Sequence, residues 1–326
     1  MTGLLANMKT ADTQTRPTGR TAEQTAGAVL MIRPYRFYPN PETAADNAFQ
    51  QSVATSELPE ISIAAQREFD AAVGILRDAG VTVHVVDDTA TPEKPDAVFP
   101  NNWLSTHHDG RMVLYPMYSA ARRRERRQDV IDELRKHYCV TGVVDYSAGE
   151  ERGHWLEGTG SLVLDHAQRV AYASMSQRTH PEVLQRFCAD FGYEPVTFRS
   201  ASEDGRPVYH TNVIMCVGSD FALISLEMIP DEAEREAVRQ RLQSTGKEVI
   251  ELREAQINEF AGNAIELRAG GEKRLVISER GAAALTPSQR KTIEKYARLL
   301  PLSLPTIELA GGSARCMIAA IHLPPL

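Results

Sequence analysis

The 326-residue chain predicts an α/β fold of five similar units set about an axis. Two observations carry that prediction. A pattern of apolar strand, turn, apolar strand, helix and final strand recurs along the chain, and such recurrence is read before any single element. Four chemically different residues also fall at one fixed spacing within the pattern.

The first unit is divided between the termini. AGAVLMIRP, a helix around AAQREFDAAVGILRDAG and the strand VTVHVVDD near the start are completed by CMIAAIHL at the end. The second unit opens with NNWLSTHHDGRMVLYP, in which Asp109-Gly110 marks a hairpin. It continues with the charged helix RRRERRQDVIDELRKH and the strand CVTGVVDY. The third runs from Thr159 through SLVL, a turn at residues 165–168, RVAYAS, the helix PEVLQRFCADFG and the strand EPVTF. The fourth starts at Val208 with HTNVIMCVG, turns at Gly218-Ser219-Asp220, and continues as FALISLE, DEAEREAVRQRLQSTG and KEVIELR. The fifth starts near Phe260 with NAIELRAGGEKRLVISE, followed by the helix TPSQRKTIEKYARLL and LPTIEL as its last strand.

Glu157, His210, Asn263 and Cys316 are successively 53 residues apart, and each stands at the entrance to its unit's first strand. Units set about an axis bring those entrances together. A carboxylate, an imidazole, an amide and a thiol then share one pocket although they are far apart in sequence.

Composition bounds the function. A charged fraction of 24% and an apolar fraction of 42% are those of an ordinary water-soluble domain. No apolar run approaches the roughly 20 residues that cross a bilayer, so no membrane partner is expected. The net charge of −7 speaks against a nucleic-acid partner. Residues 1–27 are rich in Thr, Ala, Gly and Gln, lack a secretory apolar core and read as a flexible tail. Residues 28–326 read as a single catalytic domain. Cys139, Cys188, Cys216 and Cys316 form no C-x-x-C pair, which points away from a zinc knuckle or redox pair. Reduced thiols and a cytoplasmic location follow as expectations.

Sulfur attacks as thiolate, so a reactive cysteine needs a lowered pKa or an adjacent base. Cys316 follows Gly311-Gly312-Ser313-Ala314-Arg315, a loop through which backbone can approach a ligand closely. His210 at the matching repeat position is the acid/base candidate, since imidazole titrates near working pH. Glu157 is followed by small residues and not by the basic partners of a surface salt bridge, and a carboxylate there can grip a planar cation. The other three cysteines sit inside apolar elements and read as core. The run Arg122 to Arg127 reads as the solvated face of an outer helix. His107 and His108 are adjacent strand residues, which point to opposite faces, so the pair is rejected as a metal site. Neither metal nor cofactor is expected.

Taken together, DAVFPNNW, LEGTGS, SQRT, VYHTN, EFAGN and GGSARCMIAAIHLP resemble the guanidino-group-modifying, or pentein, superfamily. The resemblance spans residues 28–326 and is nearest to the amidinotransferase-like, citrulline-utilisation hydrolase branch. It implies a five-fold pseudosymmetric α/β propeller of ββαβ units around a central active site. It also implies a covalent mechanism, with Cys316 as nucleophile, His210 as acid/base and Glu157 as a catalytic carboxylate. Asp96, Asn102, Asn212 and Asn263 fall at substrate-binding or pocket-lining positions of the motifs. Arg178 resembles an arginine that binds a substrate's α-carboxylate.

Two departures bear on the substrate. His210-Thr211-Asn212 replaces the His-x-Asp common in deiminases, and Thr159-Gly160-Ser161 follow Glu157 where a further acid is usual. Fewer carboxylates favour a neutral ureido substrate over a cationic guanidine. Hydrolysis and amidino transfer share the covalent intermediate, so an amidinotransferase stays open as an alternative. A non-catalytic binding protein of the same fold is the alternative of another class. A homo-oligomer is compatible with all of these.

Overall fold

A computed structural model describes residues 22–326. Most of the expected tail lies outside the described residues. Its last part does not behave as a tail: Thr25 and Ala26 are buried, and Ala26 bridges to Leu267. The Gln24 side chain bonds to the third and fourth units, which is why the domain begins before residue 28.

The described residues form five three-stranded sheets. The first unit contributes β1 (Ala28–Arg33) and β2 (Thr82–Asp87), joined through the helix Leu58–Asp78. The second contains β3 (Leu104–Thr106), β4 (Arg111–Leu114) and β5 (Gly142–Asp145). The third contains β6 (Val163–Asp165), β7 (Val170–Ser174) and β8 (Glu194–Phe198). In the fourth are β9 (Met215–Val217), β10 (Phe221–Ile224) and β11 (Glu248–Glu251). The fifth holds β12 (Ile265–Ala269), β13 (Glu272–Ser278) and β14 (Arg298–Leu302). Finally β15 (Ala319–Ile321) pairs antiparallel with β1, Ala28 opposite Ile321, and closes the first sheet from the far end of the chain.

Within each unit the hairpin strands pair antiparallel and the helix returns the chain to a parallel third strand. A hairpin turn permits the first pairing; the second requires a crossover element. The first strands form the inner layer, with β15 against β3, β6 against β9 and β9 against β12. Of these, β3, β6 and β9 are short and buried at every residue. Apolar clusters fill the spaces between neighbouring units; one joins the third, fourth and fifth units around Phe198, Phe221 and Leu275. No helix among the described residues is long and apolar enough to cross a membrane.

Three expectations need correction. The fifth unit's last strand is RLLPL, not LPTIEL, which forms a 3-10 turn at Ile307–Ala310. Pro301 is tolerated in β14 because that strand lies at the sheet edge. The arginine-rich segment is not one outer helix: a short turn, Ala120–Arg123, is separated from the helix Gln128–Arg135, and the break turns Arg122 inward. Cys139 is exposed in the turn before β5, not buried in a strand, whereas Cys188 and Cys216 are core as expected.

Candidate active site

Short helical turns, Gly158–Ser161 before β6 and Thr211–Ile214 before β9, place Glu157 and His210 at equivalent points of two adjoining units. Their side chains meet: His210 Nε2 lies 2.7 Å from Glu157 Oε2, with both residues buried. Glu157 Oε1 accepts from the Tyr118 N–H at 2.9 Å, and Arg178 Nη1 approaches Oε2 at 3.5 Å. Burial works against a charged Glu157, but Arg178, the bonded His210 and Arg122 hold its carboxyl well below the usual range. Burial lowers the His210 imidazole, with Glu157 opposing. Glu157 is therefore a carboxylate that accepts from His210 Nε2–H. Gly160 makes room for this ring: a Cβ there would stand 2.8 Å from His210 Nδ1 and 2.3 Å from Asn102 Nδ2.

Cys316 lies on the loop entering β15, also buried. Two amides point at its sulfur, Asn212 Nδ2 at 3.4 Å and Asn263 Nδ2 at 3.2 Å. The orientation of Asn263 is fixed, because its Oδ1 accepts from the Arg315 N–H at 3.1 Å. Asn212 and Asn263, expected at substrate-binding or pocket-lining positions, both contact the Cys316 sulfur, because the repeat that places Asn263 at a strand entrance places it beside the next one.

Asp96, Asn102, Arg122, Arg178, His210 and Cys316 line one cavity with room for about 20 Å³. Asp96 accepts from Asn40 at 2.8 Å and lies 3.8 Å from Arg122 Nε. Burial pushes its carboxyl up, with Arg122 opposing. Asn102 Oδ1 accepts from Arg122 Nη1 at 2.7 Å. Arg122 also forms a two-pronged pair with Glu125, at 3.0 Å for each contact.

Arg178 is buried beside the cavity. Its fork holds the carboxylate of Asp46, Nη2 to Oδ1 at 2.7 Å and Nε to Oδ2 at 3.1 Å, and the Tyr209 ring covers it 4.7 Å away. Asp46 thus pairs with the arginine to which the resemblance assigns a substrate carboxylate. Asp46 belongs to the long connection between β1 and the helix at Leu58, which crosses over the cavity. Asn40 reaches Asp96, Asn47 donates to the Ala310 carbonyl at 3.1 Å, and Thr43 and Asn47 line the cavity.

This cover and Arg122 are the parts the sequence reading missed. A connection much longer than the usual roughly two to six residues is itself a signal of a functional loop. The two tryptophans do not wall the cavity: Trp103 is in the core against Leu30 and Leu104, and Trp155 packs on Tyr118 at 5.0 Å.

A ring of five ββαβ units with a thiol, an imidazole and carboxylates at its axis defines a cysteine hydrolase of the pentein superfamily, whose members act on guanidino C–N bonds. Comparison with known proteins narrows this further. Residues 33–323 match the family "N,N dimethylarginine dimethylhydrolase, eukaryotic", and the chain belongs to that family. No protein of curated function matches it in sequence.

Among solved structures, the chain is similar to the N-terminal domain of ArgZ, an arginine dihydrolase from the ornithine-ammonia cycle in cyanobacteria. The TM-score is 0.70 at 16% identity, over 91% of this chain and 99% of that one. It is similar to AgrE in complex with ornithine and NAD+, with TM-score 0.72 and 17% identity, over 91% of this chain but only 39% of the longer AgrE. A dimethylarginine dimethylaminohydrolase adduct with S-methyl-L-thiocitrulline gives TM-score 0.61 at 15% identity, over 92% of this chain and 100% of that one.

Proposed function

We propose that the chain hydrolyses the ureido C–N bond of a small citrulline-like compound through a covalent intermediate on Cys316. The observation that carries this reading is the charge balance of the site. The buried carboxylates that could grip a cation already face arginines, Glu157 with Arg178 and Asp96 near Arg122. A guanidinium would have to share Glu157 and Asp96 with Arg178 and Arg122, which already lie against them. A neutral ureido group needs only hydrogen bonds, which Asp96 and Asn102 can supply.

In this reading Cys316 Sγ, held by the Asn212 and Asn263 amides, attacks the ureido carbon. The S–C bond forms, the C–N bond breaks, and the thiol proton passes through His210 to the departing amine. His210 then takes a proton from water, whose oxygen attacks the same carbon and releases the thiolate and a carbamate. Glu157 is a positioning residue, since its oxygens are occupied by Tyr118, His210 and Arg178. The substrate's α-carboxylate would take the Arg178 fork from Asp46 as the cover moves.

Family membership favours a second reading, hydrolysis of an N-methylated arginine to citrulline and a methylamine. Incubation with citrulline, arginine, methylated arginines and agmatine, with products separated by mass, distinguishes the two. Ornithine formed from citrulline supports the proposal. Citrulline formed from a methylarginine, with citrulline itself inert, overturns it. Turnover only with an added amine acceptor would identify an amidinotransferase.

A further inference from the structure

The first strands carry Glu157, His210, Asn263 and Cys316 at their entrances, so their far ends also converge, at the opposite end of the axis. Three histidines arrive there. His322 follows β15, His108 lies just beyond β3, and His166 follows β6. Each can offer one ring nitrogen, and these atoms all lie within 4.8 Å of one another. His166 and His322 are buried, and their ring centroids are 4.0 Å apart.

Hydrogen bonds orient two of the rings. His108 Nε2 lies 2.9 Å from the Glu23 carbonyl, which can only accept, so this nitrogen carries the proton and Nδ1 holds the lone pair. His166 Nδ1 lies 2.9 Å from the Tyr193 hydroxyl; donation to that oxygen leaves the Nε2 lone pair free. His322 Nδ1 is buried with no partner among the described residues. A buried imidazole nitrogen left unpaired is uncommon and calls for a ligand. Beside the rings is a cavity of about 40 Å³, lined by Gln24, His166, Glu266, Arg315 and His322. About 10–15 Å³ is enough to hold a water molecule, so a fourth ligand fits.

The geometry points to a three-histidine site for a divalent transition metal, Zn²⁺ foremost, formed by His108, His166 and His322 at the axis end opposite Cys316. Three imidazoles and one water make a set that zinc accepts without a geometric demand of its own. The outer contacts of His108 and His166 to a carbonyl and a hydroxyl are the kind that orient metal-binding histidines. Of the adjacent pair His107-His108, His108 offers a nitrogen to this cluster, while His107 bonds to Ser105. The ligands come from the first, second and third units and Glu23 from the leading segment, so the ion would fasten the ring where its two termini meet.

The test uses the full chain carrying Cys316→Ala, which removes the other metal-seeking group near the axis. Zn²⁺ is titrated against a chromophoric chelator, and thermal unfolding is followed with and without the ion. One equivalent bound with a raised Tm is expected. His108→Gln, which alters a partly exposed side chain, should weaken binding by about tenfold or more while the fold is retained. His322→Gln should do the same, and Co²⁺ should give tetrahedral absorption bands that both substitutions remove. Binding of less than one equivalent, or binding unchanged by His108→Gln, would overturn the site.

Discussion

The two ends of the axis are made by the same inner strands, yet their chemistry is opposite. At the entrance end, carboxylates pair with two buried guanidiniums near the thiol: Glu157 with Arg178, Asp46 with Arg178, Glu125 with Arg122. At the far end the converging groups are imidazoles, in contact with one another, a tyrosine hydroxyl and a backbone carbonyl. Pseudosymmetry fixes where side chains meet and says nothing about which side chains they are. The entrance end gathers arginine–carboxylate pairs around the thiol, and the far end gathers three imidazoles beside Glu266 and Arg315. Substitutions at the two ends should therefore fail differently, one in chemistry and the other in stability.

The largest effect should come from the thiol. Cys316→Ala is expected to reduce turnover by roughly 10⁴-fold or more with an unchanged circular dichroism spectrum, since members of a covalent catalytic set fail together. Residual turnover within tenfold of the native enzyme would remove Cys316 as nucleophile. Next is Arg178→Met. Glu157 is completely buried, and removing one partner of a buried pair costs about 3–5 kcal/mol. Urea unfolding should show that loss alongside lost activity. A loss below about 1 kcal/mol would mean that Tyr118 and His210 alone satisfy Glu157.

Gly160→Ala sharpens the comparison at the entrance end, because its Cβ would meet Asn102 and the His210 ring in a site with little free room. A displacement of the acid/base group by about 1 Å can cost roughly 10²-fold in rate. We expect that loss in kcat with a smaller change in Tm; unchanged kcat would show that the ring moves freely. Gln24→Ala probes the far end. Its amide donates to the Leu164 and Val217 carbonyls at 3.0 Å each and accepts from the His166 backbone N–H at 2.7 Å. Removing it should cost about 1–3 kcal/mol in unfolding free energy and leave kcat/KM as it was. A fall in kcat/KM would show that the two ends are coupled.

The fold was legible because it repeats: a 53-residue spacing and a recurrent strand–turn–strand signal survive differences in every side chain. For the same reason Glu157, His210, Asn263 and Cys316 could be placed together, and the structure gathers them at one end of the axis. What broke the repeat stayed hidden. Arg122 lies in a charged run whose composition is that of a solvated helix, and only the interruption between Arg123 and Gln128 turns it toward Asp96. Asp46 and Asn40 belong to a connection with no counterpart in the other units, so no spacing pointed to them. The histidine cluster joins residues at near-equivalent strand ends of three units, so no short-range spacing marks it.

The smallest expected effect is in the pH profile, and it rests on the Glu157–His210 pair. Burial lowers the imidazole below its ordinary value of 6.5 while Glu157 acts to raise it. A histidine lowered in this way remains neutral as pH falls through 6.5 and gains its proton only further down. The acidic limb of kcat/KM should therefore lie below pH 6.5. Glu157→Gln removes the opposing charge, so the His210 signal in a histidine-labelled NMR titration should move lower still. If the limb lies above 6.5, or the substitution moves the titration upward, then Glu157 does not govern this imidazole. The pairing of charge that separates the two ends would in that case be a feature of packing and not of catalysis.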